Sequence, residues 1–422
     1  MASSPALARR LTLLDATSIG LGSMIGAGVF AAFTPAAQAA GNGLLVGLVI
    51  AAIVAFGNAT STAQLAAQYP TSGGAYVYGR ERLGHWWGFF AGWSFIVGKT
   101  ASCAAMALVF AAYAAPPGWE RPVAIVAVLA LATVNLFGVT RTALATRIIV
   151  VAVLLVLAVV VASGASTSLP AFAEPLDLVA AGPYGILQSA GLLFFAFAGY
   201  ARVATMGEEV RDPSRTIPLA VTLALGITVV VYGAIAVTVL GVLGPDGVAA
   251  SAAPLAATVQ AAGWGWAAPL VRVGAAAASL GALLALIAGI GRTTLAMARE
   301  GDLPRWLSAV HPRYSVPHRA EIVLAIVVCA LVALVDLRGA IGFSSFGVLL
   351  YYLIANAAAL TQRGEHRRYP RVLAIVGAVG CLALVTTLPV TSILVGIGVL
   401  AVGFLYRFLS LRAVASNSSH DA

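Results

Sequence analysis

The groups in this chain best suited to chemistry belong to the backbone. Two glycine-broken apolar segments, Gly20-Leu-Gly-Ser-Met-Ile-Gly-Ala-Gly-Val-Phe30 and Phe194-Phe-Ala-Phe-Ala-Gly-Tyr200, each fall inside a stretch long enough to cross a bilayer. Glycine at the centre of a membrane helix frees N–H and C=O groups, which hydrocarbon tolerates only where protein or a water-filled cavity satisfies them. Around Gly26, Ala27 and Gly28 the freed amides and the adjoining helix dipole favour negative charge, so a carboxylate needs no basic side chain there. Carbonyls near Met24, Ile25, Phe195, Ala196 and Ala198 are placed to accept from an ammonium. Together the breaks match the two charged ends of an α-amino acid. The plainer reading of the glycines is that they only let helices pack closely. Interrupted segments in matching positions of two halves favour the first, because they mark a transporter site near the bilayer midplane.

The side chains at the breaks are small (Ala27, Ala196, Ala198, Gly199) or aromatic (Phe195, Phe197, Tyr200), which predicts a compact pocket with an apolar wall. No Asp or Glu stands at the centre of the first, third, sixth, eighth or tenth apolar span. A cationic substrate would lack a counter-charge there, so a neutral amino acid is expected over a basic one or a polyamine. Two cations do lie in apolar surroundings. Lys99, the only lysine, is in Gly98-Lys-Thr-Ala-Ser102. It reads either as a proton carrier, since a desolvated lysine gains and loses its proton readily, or as a structural lysine bonded to carbonyls of a broken helix. Arg202 reads as a contact for a substrate carboxylate or, better, as a gate partner for Glu208 or Glu209. Asp15 is expected to pair with an arginine of the 211–215 run or with Arg299.

The elements that hold these residues are membrane helices. Hydrophobic residues make up 61% of 422 positions and charged residues 9%, with mean hydropathy +0.98; a soluble domain needs roughly 25% charge. Twelve spans are predicted, at 13–38, 43–66, 85–114, 121–138, 142–164, 183–210, 217–243, 268–297, 319–336, 339–361, 371–388 and 390–411, each near the 20 apolar residues a crossing requires. Linkers are short, so residues 1–422 form a single membrane domain. With the N-terminus inside, arginines crowd one face (among them Arg9, Arg10, Arg141, Arg147 and Arg407), leaving Arg121, Arg338 and Arg272 on the other. This is the positive-inside pattern, and it puts both termini in the cytoplasm.

The same placement argues against nucleic acid, because the net charge of +9 is scattered between spans and forms no basic stripe. Cys103, Cys329 and Cys381 lie in apolar spans without a pairing motif, and the histidines make no cluster, so neither disulfide, metal nor cofactor is expected. No nucleophile–base arrangement or phosphate loop points to an enzyme. The start, Ala-Leu-Ala-Arg-Arg-Leu, lacks a small-residue cleavage site, and no cleaved signal peptide is expected.

Four motifs carry a family resemblance: Gly22-Ser-Met-Ile-Gly-Ala-Gly-Val-Phe30; Tyr69-Pro-Thr-Ser-Gly-Gly-Ala-Tyr76 with Arg80 and Gly92-Trp93; Gly207-Glu-Glu-Val-Arg-Asp-Pro213; and Ala296-Met-Ala-Arg-Glu-Gly-Asp-Leu-Pro304. In this order along most of the length, the chain resembles the amino acid–polyamine–organocation transporters. The resemblance implies a LeuT-like fold: an inverted repeat of five and five spans (13–164 and 183–361) with two more outside (371–411). It also implies that Met24, Ile25, Gly26, Ala27, Gly28, Phe195, Ala196, Phe197, Ala198, Gly199 and Tyr200 hold the substrate. Relatives that couple to protons or exchange often carry a lysine in the fifth span. Here that position falls on Val153, and in the eighth span Ser279 is the only hydroxyl before Thr293, so sodium coupling is not expected and Lys99 stands in as the proton-coupling candidate. A basic amino acid or polyamine antiporter, and a membrane sensor that binds without transporting, remain the alternatives. A channel is disfavoured, since the breaks come once per half with no filter repeat.

Overall fold

The computed structural model of the chain describes residues 11–70, 73–138, 143–167, 177–204, 206 and 209–418. Among the described residues, helices occupy the apolar stretches. Helices α1 (Leu13–Met24), α2 (Gly28–Ala31) and α3 (Phe33–Ala40) share the first. Then come α4 (Leu44–Gln68), a short α5 (Ala75–Leu83), α6 (His85–Ala114), α7 (Glu120–Leu136) and α8 (Ala143–Ala165). Helices α9 (Gly182–Phe197) and α10 (Ala201–Ala204) share the sixth stretch, followed by α11 (Pro213–Ala250) and α12 (Pro254–Ala261). The rest are α13 (Ala268–Arg299), α14 (His318–Leu334), α15 (Leu337–Leu360), α16 (Arg371–Thr387) and α17 (Val390–Ser418). Among the described residues there is no strand, and eight helical stretches are long and apolar enough to cross a membrane; Gly182–Phe197 and Arg371–Thr387 are apolar but shorter.

The broken helices sit inside the bundle. Helix α1 packs on α8 and α11, and α9 on α3, α4, α15 and α16. Between α6 and α15 the backbones touch, with Gly98 and Gly347 face to face: a Cβ on Gly347 would lie 2.7 Å from the Gly98 Cα. Small residues permit this approach, which in lipid replaces the hydrophobic drive for helix association. The outward faces of α8, α14 and α17 expose Val151, Leu155, Ile326, Leu394 and Val402, an apolar surface suited to lipid tails.

At the arginine-rich end the two halves are tied together. Thr12 caps α1, its hydroxyl accepting from the Asp15 N–H at 3.3 Å while Asp15 Oδ2 accepts from the Thr12 N–H at 2.9 Å. Asp15 also forms an ion pair with Arg147 at the start of α8. The partners expected from sequence are therefore replaced by Arg147, because α1 lies directly against α8. The chain before α1 pairs with the chain after α10: the Leu11 N–H donates to the Glu209 carbonyl and the Arg211 N–H to the Leu11 carbonyl, both at 3.0 Å.

A second tie joins α5, the end of α13 and α17. Asp302, 5% exposed, accepts from the Tyr76 hydroxyl at 2.8 Å and is ion-paired with Arg407. The Arg80 guanidinium donates to the Tyr76 oxygen at 3.0 Å and pairs with Glu300 at 2.8 Å. Burial, followed by the hydrogen bond to Asp302, pushes the Tyr76 phenol above its ordinary range. Arg407 also lies over the rings of Trp86 and Phe89, so this charged cluster is packed as well as paired.

Candidate functional site

Helix α1 ends where Ile25 makes the last bond of the ladder, its N–H to the Leu21 carbonyl at 2.7 Å. Helix α2 begins at Gly28, so Gly26 and Ala27 form the break. Among the described residues the amides of Gly26, Ala27 and Gly28 donate to no backbone carbonyl. In the other half α9 ends at Phe197, Ala198-Gly199-Tyr200 turn, and α10 starts at Ala201.

The two breaks lie in direct contact. A Cβ on Gly28 would stand 2.6 Å from the Ala196 Cα, and one on Gly199 would stand 2.5 Å from the Met24 nitrogen. Gly26 is closed in the same way by Ala282 of α13, at 2.8 Å. The glycines thus stand where the helices are interrupted and let the interrupted backbones meet. Every residue from Met24 to Gly28 is buried, and so are Phe195, Ala196, Phe197, Ala198 and Tyr200, with Gly199 half-buried.

The carbonyls freed by the breaks are held by side chains of neighbouring helices. The Tyr232 hydroxyl of α11 shares its one proton between the Met24 carbonyl at 2.6 Å and the Ala196 carbonyl at 3.0 Å, so one group clasps both breaks. Lys99 of α6, 6% exposed, donates from Nζ to the Ala198 carbonyl at 3.1 Å. The Tyr113 hydroxyl donates to the Phe30 carbonyl at 3.1 Å. Each donor meets the requirement that backbone polar groups in a membrane be satisfied. Sequence reasoning missed Tyr232 and Tyr113. Their signal was a hydroxyl-bearing aromatic within an apolar run, where a buried Tyr needs a partner.

Lys99 is therefore brought to the second break, in the geometry expected of a lysine bonded to a broken helix. Arg202 is one turn beyond that break and stands among charges of the arginine-rich end, within electrostatic reach of Arg292 and Glu209. Glu208 lies outside the described residues. Val153 faces the first break: with Ile25, Gly26, Val150 and Ala278 it lines a small cavity between α1, α8 and α13. Ser279 is fully buried, its hydroxyl without a hydrogen-bond partner among the described residues.

A second small cavity lies beside the other break, lined by Thr62, Phe95, Ala201, Ala204, Tyr351 and Tyr352. Phe95 precedes Lys99 by one helical turn. The Thr62 hydroxyl is buried without a hydrogen-bond partner among the described residues, and the buried Tyr351 and Tyr352 hydroxyls in the same lining lie within reach of each other, the kind of polar lining that holds water.

Comparison with known proteins finds relatives along nearly the whole chain. A family model described as amino acid permease matches residues 11–415. The chain is 60% identical to an uncharacterized transporter of Mycobacterium tuberculosis (strain ATCC 25618 / H37Rv), over 98% of this chain and 94% of that one. It is 26% identical to a branched-chain amino acid permease of Bacillus subtilis, over 96% of this chain and 94% of that one. A chloroplastic cationic amino acid transporter of Arabidopsis thaliana is 28% identical over 83% of this chain and 65% of its own length.

Proposed function

The chain belongs to the amino acid permease family, and on that premise we propose that it carries a small neutral amino acid across the plasma membrane by alternating access, coupled to protons. It is a multi-pass membrane transporter of amino acids and not an enzyme. The finer reading has twelve spans, arranged as an inverted repeat of five and five with two added, and both termini in the cytoplasm. The substrate's carboxylate rests on the amides of Gly26, Ala27 and Gly28, and its ammonium on carbonyls of Met24, Ile25, Phe195, Ala196 and Ala198. Phe195, Phe197, Gly199 and Tyr200 bound the side chain, and Lys99 carries the proton.

The observation that carries this reading is the contact between the breaks. It gathers uncommitted amides of the first and carbonyls of both around one point, in a setting where charge is costly unless met by dipoles. The two oppositely charged ends of a zwitterion fit that pairing of donors and acceptors; a lone cation uses half of it. An apolar Val153 beside the first break supports protons over sodium, which takes oxygen ligands.

The second reading, a basic amino acid carrier, is favoured by the name of the Arabidopsis relative and opposed by the lack of a carboxylate at the breaks. Uptake of labelled neutral amino acids, lysine and spermidine into proteoliposomes, with and without a proton gradient, separates them. Flux of neutral amino acids alone supports the first reading; flux of lysine or spermidine alone supports the second. Binding without flux of any of them identifies a sensor.

A further inference from the structure

We propose that Lys99 and the ammonium of the substrate compete for one acceptor, so that this protein exchanges protons against amino acid in opposite directions. The inference rests on the breaks being the amino acid site. Lys99 Nζ holds the Ala198 carbonyl at 3.1 Å, and that carbonyl is one of the few freed by the second break and within the substrate's reach. The ionisable group beside the lysine is Cys103, one turn along the same helix. From α9, α10, α13 and α15 no carboxylate pairs with it among the described residues.

Two ammonium groups on one carbonyl would repel each other with no negative charge between them, in surroundings that screen poorly. The substrate therefore takes the acceptor only when Nζ has given up its proton. The N–H bond breaks, the electron pair stays on nitrogen, and the proton passes to water. A polar setting for that water is the cavity lined by Tyr351, Tyr352 and Phe95, the last one helical turn before Lys99.

Once the substrate has left, the Ala198 carbonyl is again without a donor. A reprotonated Lys99 takes the substrate's place and lets the breaks close, as they are closed here. The return step then carries the proton, and the loaded step carries the amino acid. Co-transport requires proton and substrate to be bound at the same time, and the shared Ala198 carbonyl opposes that. By linkage, the affinity for amino acid rises with pH, by up to about tenfold per unit where Lys99 titrates.

The test uses proteoliposomes with a trapped pH dye and the voltage clamped by potassium and valinomycin. Addition of the transported neutral amino acid outside should make the interior more alkaline, by about one proton per amino acid taken up. Lys99→Met should move or bind amino acid with no pH change. Lys99→Arg, whose charge is permanent, should bind the amino acid about tenfold or more weaker than Lys99→Met. Acidification of the interior overturns the proposal, as does a wild-type pH response in Lys99→Met or wild-type binding by Lys99→Arg. If well-folded wild-type protein neither binds nor moves any amino acid, the site reading itself falls and takes the proposal with it.

Discussion

Gly199 lies so close to Met24 that a Cβ on it would come within 2.5 Å of the Met24 backbone nitrogen. The relation is reciprocated by Gly28 against Ala196, so each break is shaped to the backbone of the other. An added methyl in such a site cannot be absorbed by a side-chain rotation, because the obstacle is main chain. Gly199→Ala and Gly28→Ala are therefore expected to lose uptake and to cost about 1–3 kcal/mol of stability. Gly226→Ala on α11, where nothing lies within 4 Å of the new carbon, should behave as wild type in the same uptake assay.

Tyr232 is expected to act as the clasp between the halves. Tyr232→Phe removes the donor from the Met24 and Ala196 carbonyls while keeping the ring. Leaving a buried carbonyl unpaired costs about 1–3 kcal/mol, so the variant should melt at a lower temperature in a thermal shift assay. If saturating amino acid supplies a replacement donor, it should recover more of that loss in the variant than it adds to wild type.

The general layout was legible in the sequence because membrane constraints are strict. Apolar length and paired glycine breaks both follow from the cost of exposing charge or backbone to lipid, and among the described residues helices lie on the stretches so identified. What was not legible came from tertiary contact. Asp15 finds Arg147 because α1 lies against α8, a relation no spacing encodes. Tyr232 is separated by 208 residues from the Met24 carbonyl it holds, so only the need of a buried hydroxyl hinted that a partner existed.

The Asp15–Arg147 pair and the Leu11–Val210 pairing close the arginine-rich end. Asp15→Asn is expected to loosen α1 from α8 and shift the protein toward opening on that side. A cysteine introduced as Ser23→Cys should then react faster with a membrane-impermeant maleimide than it does with Asp15 intact. Native Cys103 and Cys381 are buried, and the half-buried Cys329 is replaced by Ser in the background of both proteins compared. Unchanged labelling would mean that the pair does not hold this end shut.

Tyr76 gives a pH-dependent signature outside the membrane spans. Its phenol is held neutral by burial and by Asp302, so its folded-state value is raised above that of the unfolded chain. The stabilisation is full below the unfolded value of about 10 and is lost as pH rises through the folded one. Thermal stability should decline above about pH 10 more steeply in wild type than in Tyr76→Phe. Equal slopes would contradict a neutral Tyr76 bound to Asp302.

The most direct test of the central claim, that the breaks hold both charged ends of an α-amino acid, is competition by blocked substrates. Once a transported neutral amino acid is known, its N-acetyl and carboxamide derivatives should be measured as inhibitors of its uptake. Both should compete far more weakly than the parent, since each removes one of the charges that the backbone groups receive. If either derivative competes as well as the parent, the corresponding break does not bind that end, and the account of the site is wrong.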